Sequence, residues 1–186
     1  MNRTTIVVMS FFALVVGAFG PIAVGADLYA TTILGHGATH YWRLGETAGA
    51  TAVNLANPGM NDGVYTGTYI LGQTGALSNS VNGAFYVDGA GYVSVGDLGP
   101  TPTEGTIEFW MSPDVVENYR NPLSTSGATG GNEGFRFEEN TAGVFHVRAG
   151  NESGVNHTPY SMTTSLEPGQ WYHVVATWGE PNSNSV

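Results

Sequence analysis

The chain has 186 residues, 15 of them acidic and 5 basic, with a formal net charge of −10 and no cysteine. That length holds one domain, and its charge repels phosphate backbones and anionic lipid headgroups, which argues against nucleic acid or an acidic membrane surface as partner. Without cysteine there are no disulfides, no thiol catalysis and no Cys-ligated metal, so core burial or a bound ion must hold the fold.

Residues 1–26 have the layout of a secretory signal peptide. Arg3 precedes an apolar run from Ile6 to Phe19 that only Ser10 interrupts, Gly20-Pro21 breaks it, and Val24-Gly25-Ala26 offers small residues before a cut between Ala26 and Asp27. An uncleaved anchor is the alternative, because Ile6 to Ala26 approaches the ~20 apolar residues a span needs, but Gly20-Pro21 splits it. Cleavage predicts a secreted or cell-surface protein with no membrane span in the mature chain. Its basic residues are then Arg43, Arg120, Arg136 and Arg148, with no lysine at all. Such a surface suits neutral polymers and divalent cations.

Residues 27–38 read as a lead-in segment, and the domain proper runs over 39–186. Thr39 to Leu44 is a predicted strand closed by Gly45-Glu46. Thr47 to Asn57 is small and polar, and Asn57 to Gly63 is dense turn chemistry. Val64 to Tyr69 makes a weak strand, and 72–80 a loop. Ala84 to Asp88 and Tyr92 to Val95 flank Gly89-Ala90-Gly91, which predicts a β-hairpin with the glycines at its reversal. In Thr106 to Met111, alternation puts Ile107, Phe109 and Met111 on one face and Thr106, Glu108 and Trp110 on the other. Phe135 to Glu138 and Val144 to Arg148 read as an antiparallel pair, with Phe135 and Phe137 opposite in facing to Arg136 and Glu138. Trp171 to Trp178 is the last strand, after the turn at 167–170. No helical period of useful length appears beyond the leader. Short strands with turn signals about every ten residues predict an all-β sandwich or barrel.

Tyr41-Trp42-Arg43-Leu44-Gly45-Glu46, the Phe85 to Gly89 run followed by Tyr92-Val93, Thr106 to Trp110, and Trp171 to Trp178 stand in an order that resembles the laminin-G-like domains of the concanavalin-A-like lectin/glucanase superfamily, above all those of bacterial secreted and surface proteins. The resemblance covers about 39–180. It implies a jelly-roll sandwich of two antiparallel sheets. In that family the strand ending in Ala-Thr-Trp, here Ala176 to Trp178, is normally followed by further strands. The sequence instead reaches Glu180 to Val186, so the resemblance implies a sandwich incomplete at its C-terminal end.

Glucanases of the superfamily carry Glu-x-Asp-x-x-Glu on one strand, and this motif is absent; Glu138-Glu139 point to opposite faces of a strand and Glu108 stands alone. No catalytic residues are assigned. Asn57, Asn61 and Asp62 share one loop and Asp88 lies in the expected hairpin turn, a set of oxygen ligands that calcium could use, although Asn and Asp also serve turns for their own sake. Family members often bind calcium at a sandwich rim. His36, His40, His146, His157 and His173 lack metal spacing, and His173 reads as structural. Trp42, Trp110, Trp171 and Trp178 read as core, whereas Tyr65, Tyr119 and Tyr160 are the candidates for an exposed ligand-binding face. The expected function is a non-catalytic recognition module for a polysaccharide or an extracellular protein. A ligand-free structural spacer and a glycoside hydrolase are the alternatives.

Overall fold

A computed structural model describes residues 4–8, 28–77, 82–99, 102, 104–117, 120–124, 134–139, 144–150 and 160–179. The chain divides into two compact units, Met1–Pro100 with Ile107–Phe109, and Thr101–Thr106 with Trp110–Val186. Among the described residues their regular elements are strands, apart from one helix in the first unit. No helix among the described residues is long and apolar enough to cross a membrane.

In the first unit, β1 (Thr4–Val8) runs parallel to β2 (His40–Trp42), with Val7 opposite Tyr41. Its run of Thr, Ile and Val suits a strand as well as the apolar centre of a leader. Between them lies α1 (Leu28–Gly35). The sequence predicts no helix there, because Thr31, Thr32 and Ile33 are poor helix formers and the apolar face is weak. Tertiary contact supplies what propensity lacks: Ala30 and Ile33 bury themselves against Tyr41.

β3 (Thr51–Ala52), β4 (Gly63–Thr66) and β7 (Tyr92–Ser94) form one antiparallel sheet in the order β3-β4-β7. β5 (Tyr69–Gln73) pairs with β6 (Ala84–Val87) in another. The expected hairpin of Ala84–Asp88 with Tyr92–Val95 is therefore corrected. Both strands exist, but β6 pairs with β5, while β7 pairs with β4.

The registers show why. Val64 faces Ser94 and Thr66 faces Tyr92; farther along, Tyr69 faces Val87 and Gln73 faces Ala84. Residues 63–73 and 84–94 make one long antiparallel ribbon, broken midway where both chains pass from one sheet to the other. At the break the backbones touch. A Cβ on Gly67, whose φ is +74°, would run into the carbonyl oxygen of Ala90, and a Cβ on Gly91 into that of Thr68. Glycine here makes a corner rather than a reversal.

In the second unit, β9 (Leu123–Ser124), β10 (Gly134–Glu139), β11 (Val144–Gly150) and β12 (Tyr160–Ser165) form an antiparallel sheet in chain order. The β10–β11 pair is the hairpin expected, with Phe137 opposite Val147 and Glu138 opposite His146. Phe135, Phe137, Phe145 and Val147 are buried, with Leu166, Val174 and Ala176. Val174 and Ala176 come from β13 (Tyr172–Trp178). The ring of Trp178 meets Phe135 at 4.3 Å between centroids, and its indole N–H donates to the Pro102 carbonyl at 2.9 Å. β8 (Gly105–Met111), whose Ile107–Phe109 count with the first unit, alternates as expected, with Ile107 and Phe109 buried.

Candidate functional site

The Tyr41–Glu46 run is the best-organised polar neighbourhood of the first unit. Successive side chains of a strand point to opposite faces, so Tyr41 enters the cluster with Ala30 and Ile33 while Trp42 enters another with Ala52 and Tyr65. The Trp42 indole N–H donates to the Asn61 carbonyl at 2.9 Å. Leu44 takes a left-handed φ of 55°, which turns the chain so that Glu46 reaches back. One carboxylate oxygen of Glu46 accepts the Val53 N–H at 3.1 Å and the other the Tyr65 hydroxyl at 2.6 Å. Burial pushes the Tyr65 phenol above its ordinary value, and the bond to Glu46 pushes it further the same way.

Beside this motif lies a shallow hollow of about 290 Å³, lined by Arg43, Gly45, Glu46, Val53, Leu55 and Asn82. Gly45 leaves the space that the Asn82 amide fills, and that amide donates to the Gly83 carbonyl at 2.9 Å.

Asn54 organises the loop between β3 and β4, and nothing in the sequence singles it out. Fully buried, it accepts the N–H groups of Tyr41 at 3.0 Å and Ala56 at 3.2 Å, and donates to the Met60 carbonyl at 2.8 Å. The oxygen set considered for calcium is placed around it. Asp62 accepts the Asn54 N–H at 2.8 Å with one oxygen and the Gly59 N–H at 3.2 Å with the other. The amide of Asn57 donates to Thr39, and that of Asn61 to Asp97. Asp88 stands apart at the glycine corner, where it accepts the Ala90 N–H at 3.0 Å. Asp62 and Asp88 thus close turns within their own loops, whereas Asn57 and Asn61 tie their loop to distant segments. Among the described residues no group of three or more acidic or histidine side chains converges.

The tyrosines chosen from the sequence fare differently from one another. Tyr65 is corrected: it is buried in the core, stacked on Tyr69 and edge-on to Phe85. Its place in a weak strand close to loops suggests an exposed ring, but it is an inward residue of β4. Tyr160 begins β12, with its side chain outside the described set, and Tyr119 lies outside the described residues, as do Ala26 and Asp27. Of the tryptophans, Trp42 is buried and the other three are partly so. His173 is exposed, with its ring stacked on Trp110 at 4.9 Å.

The exposed aromatic face lies elsewhere, on the outer side of the bent ribbon. Tyr92 is 55% exposed, Ile70 53%, Val64 52% and Tyr86 38%. Tyr86 stands directly opposite Ile70, Tyr92 opposite Thr66, and Val64 between Thr51 and Ser94. Alternation could have found it. With Phe85, Val93 and Val95 turned to the core, their neighbours Tyr86 and Tyr92 must face out.

Comparison with known families places the chain. A model for the concanavalin A-like lectin/glucanases superfamily, of laminin G type, matches residues 87–185. That is more than half of the sequence, and the chain belongs to this family. Its fold class is accordingly the all-β, concanavalin-A-like sandwich, and domains of this kind commonly act as binding modules. No curated protein and no solved structure matches the chain. The match takes in β8 and β13 but starts beyond Tyr41–Glu46.

Proposed function

We propose that the chain is a non-catalytic recognition module of an exported protein, one that holds a carbohydrate or protein partner without cleaving it. The use made of four of its described acids carries this reading. Glu46 spends both oxygens on Val53 and Tyr65, Asp62 spends both on backbone N–H groups, and Glu108 accepts the Tyr29 hydroxyl at 2.8 Å. Glu138 is buried, 4.0 Å from Arg136. A retaining glycosidase needs two carboxyls about 5–5.5 Å apart over one open cleft, and acids tied into the framework serve stability instead. Family membership supports binding in general terms, although the superfamily includes glycoside hydrolases as well. The exported character rests on the layout of residues 1–26.

Incubation of the chain with a panel of polysaccharides and extracellular proteins tests it. Retention of a polymer with no new reducing ends is expected. Reducing ends that accumulate in proportion to the protein would overturn the non-catalytic reading, and failure to retain anything would overturn recognition.

A further inference from the structure

The outer face of the bent ribbon has a composition that points to one class of ligand. Its cross-strand rows are Thr51, Val64 and Ser94, then Thr66 and Tyr92, then Ile70 and Tyr86. None of these is charged at neutral pH, in a chain that carries −10 and has no lysine; the exposed carboxylate of Asp88, at the corner between the two arms, is the nearest charge on the ribbon and is negative. Large apolar side chains are costly to leave in water, and here four stand exposed along one face of both arms of the ribbon. Tyrosine offers a rigid ring with a polar tip, and Thr and Ser add hydroxyls that both donate and accept.

We infer that this face is a binding platform for an uncharged polysaccharide, with Tyr86 and Tyr92 as the stacking residues. Pyranose rings present flat patches of C–H groups that pack on a tyrosine ring or an aliphatic side chain. Their hydroxyls match Thr51, Thr66 and Ser94 and need no charged partner. Polyanions are refused by the net charge and by the lack of any cation in these rows. A protein partner would meet a face without the arginine that enriches the centres of such contacts. The glycine corner serves the platform by fixing the angle between its two arms, since backbone contact at Gly67 and Gly91 leaves neither arm free to swing. The inference deepens the proposed recognition role and rests on it.

The test is affinity electrophoresis of the full chain in gels containing neutral polysaccharides (glucan, mannan, xylan, galactan) and, separately, alginate or heparin. The parent should be retarded by at least one neutral polymer and by neither polyanion. Tyr92→Ala should weaken binding about tenfold, Tyr86→Ala with Tyr92→Ala should abolish it, and Tyr92→Phe should keep it within about threefold. The melting temperature of Tyr92→Ala should stay within about 2 °C of the parent, because that residue is 55% exposed, and a cooperative melt of the double variant shows that it is folded. Retardation unchanged in the double variant would place the sugar elsewhere, leaving recognition intact and overturning this surface. Retardation by the polyanions alone would also overturn it. A parent that binds no polymer, but whose self-association or protein partner is lost in the double variant, would make the face a protein-docking surface. Absence of any binding would remove the recognition reading itself.

Discussion

Two stretches of this chain look alike on paper and fold differently. Phe135–Glu138 and Val144–Arg148 make a hairpin, with partners in simple register from Gly134–Gly150 to Glu139–Phe145. Ala84–Val87 and Tyr92–Ser94, joined by a glycine-rich link better suited to a hairpin, turn away from each other into separate sheets. Side-chain alternation sets the first pair: Phe135, Phe137, Phe145 and Val147 all bury on the same side. The second is decided by backbone contact of Ala90 and Gly91 with Gly67-Thr68, a segment well upstream of the link itself. Local turn chemistry shows that a chain bends; it does not show which strand it meets next.

Substitutions can break each region by its own mechanism. Gly67→Ala or Gly91→Ala should cost about 4 kcal/mol or more, because the new methyl group meets a backbone carbonyl that cannot give way. Gly169→Ala is the control. Its φ is +76° but nothing lies within 4 Å, so a loss of about 1 kcal/mol is expected in urea denaturation. If all three cost the same, the corner is no closer than an ordinary turn.

The hairpin should be insensitive to such changes and yield to truncation instead. Phe145→Ala removes a ring with no exposed surface, 6.0 Å from that of Phe137, and should cost about 3–4 kcal/mol. Asn54→Ala strands the N–H groups of Tyr41 and Ala56 and the carbonyl of Met60. A loss near 3 kcal/mol is expected, since each buried orphan costs about 1–3 kcal/mol before relaxation. Tyr65→Phe keeps the ring in the ribbon's core but takes the hydroxyl from Glu46, and about 2 kcal/mol should go with it. Thermal or urea unfolding of the full chain measures all of these.

The smallest effect is one of pH. Burial holds His40 below its ordinary value, and its bond with Asn61 only partly opposes this. The unfolded chain therefore takes up the proton first. The stability contributed by neutral His40 is complete above about pH 6.5 and declines as pH falls toward the folded-state value. The melting temperature of the parent should drop more between pH 7.5 and pH 5 than that of His40→Gln. An equal drop in both would assign the acid sensitivity elsewhere.

The strands themselves were readable because period-2 alternation is a local property: Ile107 and Phe109 on β8, Phe135 and Phe137 on β10. The same period contains the exposed Tyr86 and Tyr92, but a local pattern does not say which of a strand's two faces is turned to solvent. Asn54 could not be read at all. Its importance lies in bonds to positions 41, 56 and 60, which come together only in the folded loop. α1 was hidden for a similar reason, since Tyr41 supplies the surface that Ala30 and Ile33 need.

The bent ribbon also imposes a schedule on folding. Within it, Gln73 and Ala84 are the partners nearest in sequence and Val64 and Ser94 the farthest. Closing a short loop forfeits less chain entropy than closing a long one, so β5–β6 zips first and β4–β7 follows. The glycine corner sits between the two stages, as a checkpoint that the zipper must pass with both backbones in contact. Side chains added there would stall refolding halfway, with one arm formed and the other still open, whereas the β10–β11 hairpin closes in a single uninterrupted run.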